Sequence, residues 1–166
     1  GIDELWRMQY GGCHPVDGCQ DGDDFAGADY EYLAANVELE DLQGFTVFPG
    51  VTVKNVGNAR VAFIGLTLEG TPLVTTQAGV EGLRFKDEAE TVNQLVPDLL
   101  AMGIKSIVVL LHEGGAATGL YNECVGISGP LFEIVKQFHP AVDVVVAGHT
   151  MLLIRPTPLP KMVATS

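Results

Sequence analysis

Positive charge is what this chain has least of. Its 166 residues carry nine Lys and Arg against 21 Asp and Glu, a formal net charge of −12. Such a chain offers little to a phosphate backbone or an anionic bilayer, so neither a nucleic acid polymer nor a membrane is expected as a partner. Long apolar runs are missing as well. The longest are strand-length, well short of the roughly 20 residues that cross a bilayer. No Gly-x-Gly-x-x-Gly, Walker loop or Gly-x-Ser-x-Gly elbow occurs, which sets aside dinucleotide, P-loop and α/β-hydrolase chemistry. There is no internal repeat and no low-complexity tract.

Cysteine is sparse, with three in the chain. Cys13 and Cys19 lie in a Gly/Asp-rich loop from Gly11 to Ala28 and are expected to form a small disulfide in an oxidising compartment. Two free surface thiols are the less favoured alternative, since exposed thiols are a liability. Cys124 is left over, either buried and inert or paired outside this chain. The chain opens on Gly1–Met8, already inside an amphipathic helix and without a starting methionine. An upstream part is therefore expected to be missing, and the lack of a targeting segment says nothing about location.

What the chain does have is two segments built alike. Ser106–Leu111 and Val142–Ala147 are apolar runs that end in His112-Glu113-Gly114 and Gly148-His149-Thr150. Runs of this kind read as central strands covered on both faces. A histidine just past the carboxyl end of such a strand stands where open α/β sheets place their chemistry. Two of them on successive strands point to ligands converging on one site.

Other elements follow from local signals. Tyr32–Val37 reads as a short buried strand. Val51–Val56 and Val61–Leu66 flank Gly57-Asn58-Ala59-Arg60, a hairpin signal. Asp87 with Glu90 marks a helix start, and the helix is expected to bury Val92, Leu95, Leu99 and Met102, to bend at Pro97 and to stop at Gly103. Leu131, Ile134, Val135 and Phe138 make a helical stripe over Pro130–His139. Strand, helix, strand, helix, strand in this order is a layered α/β sandwich. Residues 151–166 hold three prolines and no acidic residue, and read as an irregular tail outside the folded unit of residues 1–150.

Four blocks together resemble one family. They are Leu33-Ala34-Ala35-Asn36-Val37, Val61-Ala62-Phe63-Ile64-Gly65-Leu66-Thr67, Val108–Gly114 and Val144–Thr150. In this order they resemble the calcineurin-like metallophosphoesterases, in the branch of bacterial 5′-nucleotidases and 2′,3′-cyclic-nucleotide phosphodiesterases. The resemblance implies an incomplete layered α/β sandwich, a mixed sheet with flanking helices, lacking the first metal-binding strands. It implies hydrolysis of a nucleotide or other phosphate ester by two divalent ions of the zinc, manganese or iron type. Such ions sit about 3.5–4 Å apart and present a hydroxide for in-line attack. His112 and His149 would both ligate one ion of the pair, and Glu113, Gly114 and Gly115 would form a loop beside the substrate. It also implies secretion or a periplasmic location, in keeping with Cys13 and Cys19.

The chain departs from that pattern at Met151, where the family places a ligating His or Gln. A thioether is a poor ligand for hard ions, and the family's upstream carboxylate, imidazole and amide ligands are not in this chain. The expected picture is a fragment that binds metal weakly and is inactive alone, and whose uncovered sheet edge self-associates. A catalytically dead scaffold is the alternative. The codon of Met151 must be ATG, and one C inserted before it reads CAT, histidine, so the tail is expected to be a frameshift product. The remaining candidates are ordinary surface features: His14 beside Pro15, His139 at a helix end, and Asp17, Asp21, Asp23 and Asp24, which lack the spacing of a calcium loop.

Overall fold

The computed structural model describes residues 1–119 and 125–149, and the backbone of the strand Lys161–Ala164. Met151 and the other tail residues outside that strand, together with Thr150 and Cys124, lie outside the described residues. The first helix, α1 (Ile2–Tyr10), leads into the disulfide loop, where Cys13 and Cys19 are paired with Cα atoms 4.8 Å apart. Strand β1 (Val37–Leu39) pairs antiparallel with β4 (Leu83–Phe85) in a sheet of two strands.

The main sheet starts with the expected hairpin. Strand β2 (Val51–Val56) turns at Gly57, whose φ of 59° a side chain would resist, into β3 (Ala59–Leu66). Two short helical turns follow, α2 (Thr71–Val74) and α3 (Gln77–Val80), for which the sequence carries no periodic signal. Helix α4 (Glu88–Ala101) is capped by Asp87, whose Oδ1 accepts from the Glu90 N–H at 2.6 Å. It runs through Pro97 as one helix and ends before Gly103, at φ 76°. Strand β5 (Ser106–Leu111), helix α5 (Pro130–Val135) and strand β6 (Val144–Ala147) complete the alternation. The sheet order is β2-β3-β5-β6-β7, where β7 is Lys161–Ala164; β2 is antiparallel and the rest are parallel. This is a mixed sheet with flanking helices.

The main core lies between one sheet face and the two helices. Ala62, Ile64, Leu66, Ile107, Val109, Leu111, Val145 and Ala147 point from β3, β5 and β6 onto Val92, Val96 and Leu99 of α4 and Leu131 and Val135 of α5. A smaller core gathers Ala34, Val37, Val47, Phe48 and Leu83.

Several expectations need correction. Tyr32–Val37 is not a strand. It crosses the main sheet, with Ala35 N–H donating to Gly65 O at 2.7 Å, and only Val37 enters β1. Met102 is 59% exposed, because the buried face of α4 drifts to Ala89, Val92, Val96 and Leu99. Helix α5 stops at Val135, and Phe138 reaches the core from a turn instead of from the helix. Of the tail, Lys161–Ala164 forms a strand beside β6.

Candidate metal-binding edge

Parallel pairing places the two histidines at one edge. Leu111 stands opposite Ala147, and the ladder runs on past the strand ends. The His112 N–H donates to Leu66 O at 3.1 Å, and the Gly148 N–H to Leu111 O at 3.2 Å. His112 therefore leaves the sheet beside Gly148, with His149 one residue further. Their rings meet. His149 Nδ1 lies 3.0 Å from His112 Nε2, with ring centroids 4.9 Å apart and planes at 80°. Both residues are exposed, and His149 has a φ of 86°.

Two imidazole nitrogens sharing one divalent ion at about 2.0–2.1 Å stand about 3.0–3.4 Å apart, depending on the angle. The observed 3.0 Å lies at the short end of that range. Among the described residues, no third His, Cys, Asp or Glu ligand atom joins the pair within 4.8 Å. Among the described residues the pair is thus joined by no carboxylate.

A groove of about 290 Å³ opens beside His112, lined by Leu33, Gly65, Leu66, Leu110, Gly148 and Glu31. Glu31 is the one carboxylate there, and it is committed elsewhere. Its Oε2 accepts from Thr52 Oγ1 at 2.7 Å and from Lys54 Nζ at 2.9 Å. The Thr52 hydrogen bond, and then Lys54, hold this carboxyl below the ordinary range.

The loop after His112 folds back on the protein. Glu113 is buried, and its Oε1 accepts from the Gly114 N–H at 2.7 Å. Gly114 O accepts from the Leu131 N–H at 3.2 Å. A Cβ on Gly115 would stand 3.1 Å from Ser128 O and 3.4 Å from Leu131 Cβ, so this glycine serves close packing against the start of α5. Glu113, Gly114 and Gly115 accordingly form a packed wall behind His112.

The other histidines lie apart from the pair. His14 Nδ1 accepts from the Asp17 N–H at 3.1 Å. His139 Nδ1 accepts from the Ala141 N–H at 3.1 Å, so its ring stabilises the turn after α5. In the acidic loop, Asp21 Oδ1 accepts from the Asp23 N–H at 3.2 Å, and among the described residues the four aspartates do not converge on a common point.

Sequence reasoning missed Asn36, which is fully buried. Its Nδ2 donates to Thr67 O at 2.6 Å and Lys86 O at 2.9 Å, and its Oδ1 accepts from the Thr67 N–H at 2.9 Å. It ties the end of β3, next to the histidine edge, to the segment leading into α4. A polar residue inside the run Leu33–Val37 was the available signal.

No protein-family model matches the chain. The endonuclease YhcR of Bacillus subtilis is 28% identical over 149 residues, covering 90% of this chain and 11% of that protein. The snake venom 5′-nucleotidase of Naja atra is 31% identical over 126 residues, covering 73% of this chain and 20% of that protein. The calcineurin-like phosphoesterase YfkN of Bacillus subtilis superposes with a TM-score of 0.65 at 19% identity, over 85% of this chain and 48% of that structure. The chain thus spans between a tenth and a fifth of the length of these two curated relatives. Its α/β sheet has the fold of that calcineurin-like phosphoesterase, and its sequence is similar to those of 5′-nucleotidases.

Proposed function

We propose that this chain is part of a metal-dependent phosphoric-ester hydrolase acting on nucleotides, and that His112 and His149 hold one divalent ion. The observation that carries the reading is the 3.0 Å approach of His149 Nδ1 to His112 Nε2 at the carboxyl edge of the sheet. A divalent ion there would supply Lewis-acid charge to a phosphoryl oxygen and a hydroxide at neutral pH. The chain's own part is to hold two imidazoles side by side, with Glu113 and Gly115 packing the loop that follows His112. Zinc, manganese and iron all suit imidazole, and a second ion would need ligands beyond the described residues. The proposed substrate is a nucleotide or related phosphate ester. An endonuclease name belongs to a relative of which this chain matches 11%, and a net charge of −12 disfavours a polymeric backbone on this part. The Cys13–Cys19 pairing and the venom relative support a secreted or periplasmic setting.

The pair lacks a carboxylate partner among the described residues. That favours weak binding and no turnover by the chain alone, and it also supports a second reading, a scaffold that keeps the fold without a working centre. Calorimetric titration with zinc and manganese separates the two. One ion bound weakly by the chain, and lost in His112→Ala and His149→Ala, supports the hydrolase reading. No binding, or binding untouched by both substitutions, would sink it. Turnover of an aryl phosphate by the chain alone would overturn the expectation of inactivity. The tail from Met151 is proposed to be a frameshift product, which the nucleotide sequence decides.

A further inference from the structure

We propose that the left-handed backbone at His149 is strain spent on aim: it costs the fold stability and swings this ring across to the face on which His112 lies. The inference takes its purpose from the ligand reading above, while the strain itself can be measured separately.

The register shows why a turn is needed. Leu111 pairs with Ala147, and both point into the main core with Val109 and Val145. Side chains alternate along a strand, so His112 and Gly148 belong to the opposite face. Continued alternation would return residue 149 to the helix-covered face, away from His112. The observed φ of 86° at His149 breaks the alternation, and the rings meet at 3.0 Å.

The placement of glycine points the same way. Eleven glycines in the described residues have positive φ, and His149 is the one non-glycine that does. The chain puts its glycine at Gly148, which has no positive φ and where a Cβ would meet nothing within 4 Å. It puts a histidine at the next position, where glycine would relieve the strain. An L-residue in this region brings its Cβ against the following carbonyl. His149 is exposed, so core packing does not compel the conformation. Strain kept at an exposed position whose side chain touches another candidate ligand is the pattern of a preorganised site.

The test compares His149→Gly with His149→Ala in metal-free buffer with a chelator. Both lose the ring, and they differ only in the Cβ that makes the backbone strained. At an ordinary position alanine is the more stable. Here the order should reverse, with His149→Gly melting about 2–4 °C above His149→Ala. Alanine melting level with or above glycine would overturn the proposal. Zinc is then added to the wild type, to both variants and to His112→Ala. A rise in the melting temperature of the wild type alone supports the ligand reading. The reversed order without any zinc effect leaves the strain standing and removes its purpose as metal aim. A zinc effect with the ordinary order leaves the ligand reading standing and removes the strain.

Discussion

The two faces of the main sheet are equally apolar and unequally covered. On one, Ala62, Ile64, Ile107, Val109 and Val145 have no exposed surface, sealed by α4 and α5. On the other, Val61, Phe63, Val108, Leu110, Val144 and Val146 are half-buried, and the main cover described is the stretch around Leu33, which crosses β3 at Gly65. A groove of about 820 Å³ runs from Leu110 to α1, Tyr32 and Phe48. Strands that are apolar on both faces are those of sheets buried on both sides. The second face is therefore built for a cover as surely as the first, and the described chain provides that cover only at one end.

Adjacent residues of β5 give the sharpest way to break this comparison. Val109→Asp puts a charge into the sealed core and should cost more than about 4 kcal/mol, leaving the chain unfolded. Val108→Asp, on the half-open face, should leave a cooperative thermal transition by circular dichroism. If both variants unfold alike, the two faces are equally closed and the contrast is wrong.

Asn36 helps tie down the stretch that covers the second face. Removing its amide leaves the Thr67 N–H and the Thr67 and Lys86 carbonyls without their partner. Asn36→Ala should cost about 2–4 kcal/mol, the cost of stranding buried polar groups. Chemical denaturation with unchanged m-value would measure it. A loss below about 0.5 kcal/mol, the ordinary range for a surface substitution, would mean that the segment is held by other contacts.

How much of this was legible follows from which signals are local. The hairpin at Gly57, the Asp87 cap and the strands ending at His112 and His149 rest on periodicity and turn chemistry within a few residues. They stand within two residues of where the sequence places them, β3 starting at Ala59 and β6 at Val144. Tyr32–Val37 fails because its apolar character comes from lying across another strand at Gly65, a contact more than 25 residues away that no local pattern encodes. The α2 and α3 turns are too short to show a period. At the site, residue identity and register sufficed to bring the two histidines to one edge. Their common face did not follow, because alternation alone separates them, and a positive φ at a histidine cannot be read from its neighbours. Glu113 is expected in a loop beside the substrate, and the structure turns its carboxylate onto that loop's own backbone.

The half-open face also bears on self-association. The exposed edge is guarded, since Lys54 of β2 is paired with Glu31. The apolar face is the stronger driver, with the net charge of −12 working against it. Added salt screens that repulsion. The chain should therefore form dimers that strengthen with concentration and with salt, and Leu110→Lys should return it to monomer. Light scattering coupled to gel filtration decides the matter. A monomer at every salt concentration would mean that the face is already satisfied.

The smallest expected effect contrasts two buried carboxylates, one beside the sealed core and one in the small sheet. Glu38 is held by Arg84 and Lys86, and the Arg84 hydrogen bond leads in keeping its carboxyl below the usual 4.5. Glu88, in the first turn of α4, accepts from the Glu69 N–H at 2.7 Å, but among the described residues it forms no ion pair. Burial pushes its carboxyl above 4.5, helped by the nearby charges of Glu69 and Asp87. The signs are opposite. A group with a raised folded value favours the folded state in its protonated form, so its contribution is fully present below 4.5 and is lost as pH rises through the raised value. The Glu38 contribution is present above 4.5 and is lost as pH falls through its lowered value. Acidification from neutral pH toward 4.5 should thus gain stability through Glu88 before Glu38 begins to lose it. Glu88→Gln keeps an acceptor for the Glu69 N–H and removes the charge. It should melt slightly above the wild type at neutral pH and show no gain on mild acidification. A variant that is less stable at neutral pH, with the wild-type rise intact, would mean that the ionised carboxylate is a net asset to α4 and that another group carries the pH dependence.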